Sequence, residues 1–128
     1  MIVDASSIVA VFLREPGYGP IVDRLIAAKA IGCGTPTLVE AGIVLSVKLG
    51  TDARGLLERF LQTFGIVEVP FGEEHWREAM AAFFVYGKGR HKAALNFGDC
   101  IAYATAKLAG EPLLCTGNDF ARTDLELV

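Results

Sequence analysis

Apolar residues fall in short runs separated by amphipathic segments, and each run stops on a polar or turn-forming residue. Residues 1–3 are apolar and halt at Asp4, the pattern of a buried strand. Residues 6–13 then make one or two helical turns, ended by Glu15-Pro16-Gly17, because the residue before proline avoids helical backbone. A compact helix is predicted over 20–29, with Ile21, Leu25, Ile26 and Ala28 on or near one face. A strand at 30–34 leads into Thr35-Pro36-Thr37, a helix start with proline near the first turn. The helix at 36–49 is apolar almost all round, which predicts burial, and Gly50 caps it.

The second half repeats the alternation. An amphipathic helix over 52–64 ends at Gly65, and a strand over 66–69 is closed by Pro70. The helix at 73–85 carries Trp76, Met80, Phe83 and Phe84 at three-to-four spacing, a stripe expected to be core or dimer contact, with His75 as a surface residue. A basic loop spans 87–92, a second mostly buried helix spans 97–108, and Gly110 caps it. A strand at 112–115 turns at Thr116-Gly117-Asn118, and 125–128 is expected to be a final short strand. Strands alternating with helices predict an α/β fold with a central, mainly parallel sheet flanked by helices.

Composition narrows this picture. A length of 128 residues suits one domain spanning 1–128. With 52% hydrophobic and 21% charged residues, disorder is excluded. The apolar share slightly exceeds what one small core needs, so an apolar outer patch and a partner or dimer are expected. It is not a membrane signal: the best segment, 38–49, is interrupted by Glu40 and Lys48, well short of the roughly 18–20 residues a span requires. The opening Met-Ile-Val-Asp has no basic region or cleavage site. Cys33, Cys100 and Cys115 are odd in number and lie in apolar surroundings. They read as buried reduced thiols, hence a reducing, cytoplasmic setting. A net charge of −3 argues against binding nucleic acid through bulk charge, but leaves room for a local site.

The acids are placed more tellingly than their number suggests. Asp4 follows the first strand, Glu40 lies early in the apolar helix after the second, Asp99 opens the second buried helix, and Asp119 follows the fourth strand beside Asn118. Singly they have plainer roles. Asp4 can cap a helix, Thr37 to Glu40 and Asn96 to Asp99 both fit capping boxes, and Asp119 can be a turn residue. Together they sit where ligands bind in parallel sheets, outside the carboxyl ends of the strands. Carboxylates gathered there repel one another unless a cation lies among them, and oxygen donors without histidine suit Mg²⁺ or Mn²⁺.

These residues carry a family resemblance over the whole chain. Met-Ile-Val-Asp-Ala-Ser-Ser at 1–7 resembles the Asp-x-Ser opening of the PIN-domain ribonucleases, and Glu40 matches that family's second acid. The stretch Tyr86 to Cys100 and the ending Pro112 to Phe120 resemble the VapC toxins of bacterial type II toxin–antitoxin pairs. Gly117 stands where many PIN domains place a fourth acid, leaving Asp119 as the natural substitute, with Asn118 binding through water. A haloacid-type phosphatase would need a second acid where Asp4-Ala5-Ser6 has serine, and no acid pair with a central phospho-acceptor fits a response-regulator receiver.

The resemblance implies a Mg²⁺-dependent endoribonuclease, with Mn²⁺ as substitute, that hydrolyses RNA phosphodiesters. Asp4 and Asp99 are then direct metal ligands, and Glu40 and Asp119 act through water or a second ion, with Glu40 also the expected base. Ser6, Lys88, Arg90, His91, Lys92 and Asn118 are expected to position ligands or contact phosphate. It also implies a VapB-like antitoxin and a homodimer. The helices at 21–29 and 38–49 are the expected antitoxin groove. The rival reading is a catalytically inactive PIN-like module that binds protein.

Overall fold

The computed structural model describes residues 1–128. Four strands, β1 (Ile2–Val3), β2 (Ile31–Gly34), β3 (Ile66–Val69) and β4 (Leu113–Leu114), form one sheet in the order β3-β2-β1-β4. Every pairing is parallel: Ile2 stands opposite Gly32 and Leu113, and Ile31 opposite Ile66. Parallel neighbours need long crossovers, which helices supply. Helices α1 (Ala5–Leu13) and α2 (Tyr18–Ala27) join β1 to β2, and α3 (Thr35–Leu49) and α4 (Arg54–Phe64) join β2 to β3. Helices α5 (Glu73–Tyr86) and α6 (Phe97–Ala109) carry the chain back across the sheet to β4. The chain thus steps outward from β1 to β3 and returns to β1's other side, which makes the β1–β4 junction the switch point of the sheet.

Alternation along the two-residue strands divides the core. Val3 and Leu114 join Ile8, Leu25, Ile31, Leu45 and Phe60 in one apolar cluster, on the side of α1 to α4. Ile2 and Leu113 join Leu95, Cys100, Tyr103 and Phe120 in the other, on the side of α6. Successive strand side chains point to opposite faces, so two residues suffice to anchor both layers.

Three expectations change. The helix at 36–49 was expected to be buried, but α3 buries only Thr37, Ala41 and Leu45. Its opposite stripe, Val39, Ile43 and Val47, is 60%, 61% and 76% exposed. A small sheet covers one face of a helix and has nothing to lay over the other. The same holds for α5, which buries only Ala82 and turns Trp76, Met80, Phe83 and Phe84 outward, so this stripe is not core. The final strand at 125–128 reduces to one bridge, Leu113 to Leu127. Two backbone bonds make that bridge, the Leu113 N–H to Glu126 O at 2.9 Å and the Val128 N–H to Leu113 O at 3.1 Å, and just before it the Tyr103 hydroxyl and the Lys107 ammonium donate to Asp124.

The expected apolar outer surface is therefore present, though not as the groove foreseen between 21–29 and 38–49. Helix α2 packs on α1. The open stripe of α3 is bordered on one side by α4, in a groove of about 600 Å³ lined by Val39, Ile43, Val47 and Leu57. On the other side a groove of about 650 Å³ reaches Phe97. No helix is long and apolar enough to cross a membrane.

The two faces of α3 should respond oppositely to truncation. Leu45→Ala, at a fully buried position, is expected to cost about 2–5 kcal/mol of unfolding free energy. Val47→Ala, on the open stripe, should stay within about 0.5 kcal/mol. Urea denaturation of the two variants checks the pair.

Candidate active site

The carboxyl ends of β1 and β4 are tied together by the residues that follow them. Asp4 donates its backbone N–H to Leu114 O at 2.9 Å, and the Ser7 hydroxyl donates to the same carbonyl at 3.0 Å. Asp4 is also the N-cap of α1, its Oδ2 accepting from the Ser6 N–H at 3.2 Å and from Ser6 Oγ at 2.5 Å. Ser6 Oγ in turn accepts from the Thr116 N–H at 3.0 Å. One serine thus fixes the rotamer of a buried carboxylate and ties it to the loop carrying Asn118 and Asp119.

Asp99 is set by a capping box at the start of α6. Asn96 Oδ1 accepts from the Asp99 N–H at 2.9 Å, and Asp99 Oδ2 accepts from the Asn96 N–H at 3.0 Å. Glu40 behaves differently. The capping box expected from Thr37 to Glu40 does not form: α3 begins one turn earlier with Gly34 as N-cap, Thr37 is buried, and Glu40 falls in the second turn. Pro36 near the helix start explains the shift, since its fixed φ suits the first turn. Relieved of capping, the Glu40 carboxylate lies against Gly98 in the first turn of α6.

These acids feel one another. Burial pushes the Asp4 carboxyl up, against the pull of the Ser6 hydrogen bonds, and Asp119 adds repulsion. Burial raises Glu40 as well, followed by repulsion from Asp4 and Asp99. Asp99 is pushed up to about 6 by burial, opposed by the Asn96 N–H and reinforced by Asp119 and Asp4. Asp4, Glu40, Asp99 and Asp119 are therefore brought together at one end of the sheet, and no lysine or arginine is among the charges that shift Asp4, Glu40 or Asp99. Asp119 and Asn118 are exposed, with the Asn118 carbonyl accepting from Ala121.

Within the basic loop, Arg90 and His91 are turned onto other groups. Arg90 donates to Phe84 O and places its guanidinium 4.9 Å from the Phe84 ring, turned back onto α5. His91 Nδ1 accepts from the Ala93 N–H, and its ring meets Tyr86 edge-on. Lys92 gives its carbonyl to Arg122, while Lys88 lines a groove of about 730 Å³ with Trp76, Asn96 and Phe97. Three contributors escaped the sequence reading: the Thr116 N–H, the bare Cα of Gly98 and the Cys115 thiol. Cys115 is only half-buried and is pushed up to about 11, by burial and then by Asp4, Asp119 and Asp99. Only Gly98 leaves a mark in sequence, as a glycine within a helix beside an acid. Cys33 and Cys100 are buried free thiols, as expected.

No three or more His, Cys, Asp or Glu side chains close into a ready-made metal cage. The set is instead an open, all-oxygen rim under mutual repulsion. Such a donor set fits a hard divalent ion that keeps part of its water shell.

Parallel α/β topology with acids at the switch point defines the class of protein, and comparison with known proteins places it. The PIN domain family model matches residues 1–126. A ribonuclease named VapC36 from Mycobacterium tuberculosis is 46% identical over 127 residues, covering 98% of this chain and 91% of the relative. Among solved structures, the sarcin–ricin-loop-cleaving toxin VapC20 of Mycobacterium tuberculosis superposes with a TM-score of 0.80 at 15% identity, covering 99% of this chain and 97% of the other. A toxin–antitoxin complex from Klebsiella pneumoniae gives 0.73 at 18% identity, covering 99% and 95%. The chain belongs to the PIN-domain family, in the branch its relatives name VapC.

The raised Asp99 carboxyl, set first by burial and then by its acidic neighbours, gives stability a pH dependence of definite sign. The folded protein holds this carboxyl near 6 against an ordinary 3.8, so it binds the proton more tightly than the unfolded chain does. The contribution to stability is full at the acid end and is lost as pH rises from about 4 through about 6. Asp99→Asn keeps an acceptor for the cap and removes the charge. It is expected to flatten this dependence and raise the metal-free Tm at neutral pH by roughly a few degrees. Thermal melts across the window check it; an unchanged profile would count against a raised Asp99 carboxyl.

Proposed function

We propose that the chain is a divalent-metal-dependent endoribonuclease acting as the toxin of a toxin–antitoxin pair. One observation carries the reading. Four acids crowd at the carboxyl end of the sheet without a cation, in a chain 46% identical to a VapC ribonuclease. An inactive binding module would keep the caps made by Asp4 and Asp99, but it gives no account of Glu40, which caps nothing.

In this reading Asp4 and Asp99 would hold Mg²⁺, or Mn²⁺ in its place, directly, with Glu40 and Asp119 behind water. When bound, the ion would acidify a water and neutralise charge on the phosphate. The protein's own groups do the rest. Ser6 keeps Asp4 aimed, and Glu40, which makes no capping bond and is partly open to solvent, orients and deprotonates the attacking water. Asn118 stands at the rim, and Lys88 in the adjoining groove meets the RNA backbone. Arg90, His91 and Lys92 extend phosphate contact along the loop. The whole chain, 1–128, serves as one catalytic unit, and the free thiols suit action in the cytoplasm.

The open stripe of α3 would take an apolar segment of a VapB-like antitoxin, and the outward face of α5 a second copy of the chain. The Klebsiella pneumoniae relative in fold was solved as a toxin–antitoxin complex.

Two experiments test the reading. Asp4→Ala and Asp99→Ala are each expected to lower Mg²⁺-dependent RNA cleavage by roughly a hundredfold or more; wild-type rates in both folded variants would sink it. Ile43→Asp should abolish co-purification with the co-encoded antitoxin and spare cleavage, because Ile43 is on the apolar stripe and not among the acids. Retained co-purification would reject α3 as the docking face.

A further inference from the structure

Gly98 occupies the second position of α6, a helical site where glycine is a poor choice. Its backbone does not need glycine, since Gly98 is not among the residues with positive φ. What it does is leave room. A Cβ at this position would stand 2.6 Å from Glu40 Oε2, 2.7 Å from Oε1 and 2.9 Å from Cδ. No other neighbour comes so near, and the colliding atoms are the free end of a flexible side chain. An added methyl group would therefore displace the Glu40 carboxylate and leave the fold intact.

We propose that Gly98 is a positioning residue, whose missing side chain forms the seat in which the Glu40 carboxylate rests against the start of α6, beside Asp99. Two consequences of the seat are physical. The carboxylate lies at the positive end of the α6 dipole, and it is held toward Asp4 and Asp99 at the exposed rim. Glu40 sits on α3, and its long side chain has no hydrogen-bond partner of its own to fix it. Without the seat, it would sample open water beside the groove at Phe97. The role of Gly98 in activity rests on the nuclease reading above; its role in placing Glu40 does not.

The test is Gly98→Ala, with Gly55→Ala as a control, because Gly55 is also helical but has open space around it. Gly98→Ala is expected to keep or raise Tm, since alanine suits a helix better. In the metal-free protein, the carbon-13 signal of the Glu40 carboxyl should move in Gly98→Ala and stay put in Gly55→Ala. Binding of Mn²⁺ alone should weaken, and RNA cleavage should fall roughly tenfold to a hundredfold, the scale of a misplaced group. In a Glu40→Gln background, Gly98→Ala should add no further loss, because the seat then holds nothing that acts. An unmoved Glu40 signal, or a loss that persists undiminished in the Glu40→Gln background, overturns the proposal. Should the wild-type protein not cleave RNA with Mg²⁺ or Mn²⁺, the nuclease reading falls, and the Glu40 signal alone decides whether Gly98 seats it.

Discussion

Burial of carboxylates beside one another, at the end of the sheet where parallel strands converge, sets the electrostatics of this protein. Strand direction leaves no choice in the matter: every strand delivers its next residue to the same rim. Asp4 and Asp119 arrive there from β1 and β4, and α3 and α6 bring Glu40 and Asp99. Burial then raises Asp4, Glu40 and Asp99 together, each sensing at least one other. Two ties to the Leu114 carbonyl, from the Asp4 N–H and the Ser7 hydroxyl, and the Ser6 link to Thr116 hold the rim closed against that pressure. The arrangement gathers unfavourable charge at one end of the free protein.

The apolar surface follows from the same economy of scale. A sheet with two strands of only two residues cannot cover both faces of six helices. Small residues solve the inner contacts: Ala41 seats α3, and Ala82 seats α5 against α6. The large side chains at Val39, Ile43, Val47, Trp76 and Phe84 are left facing water. Such patches mark contact surfaces on soluble proteins. They lie next to the acid rim through Phe97, 84% exposed at the start of α6.

What could be read from the sequence depended on punctuation. The strand at Ile66–Val69 was fully legible, bounded by Gly65 in left-handed backbone and by Pro70. The helix stops at Gly50 and Gly110 were legible for the same reason. The Asp4 and Asn96–Asp99 caps were also foreseen, since short polar side chains before apolar runs have few other uses. Which face of α3 points inward was not legible: when nearly every position is apolar, periodicity carries no phase. Nor was the seat at Gly98, because it joins residues 58 positions apart, from Glu40 to Gly98. The terminal segment was legible in place but not in extent, since it pairs with Leu113 through only two backbone bonds and forms a single bridge.

Two of the acids cap helices and also crowd the rim, and this double use can be taken apart chemically. Asparagine and serine cap as well as aspartate does, and Asn96 does so here one turn before Asp99. A fold that needed only caps at Asp4 and Asp99 would lose no more than the dipole attraction, about 0.3–1 kcal/mol each, by placing neutral residues there. It would also escape the cost of burying charge beside like charge. Both positions nevertheless carry carboxylates, and Glu40 joins them without any capping duty. Capping and the helix dipoles therefore account for acids at Asp4 and Asp99, whereas neither accounts for Glu40, whose charge joins theirs from the second turn of α3.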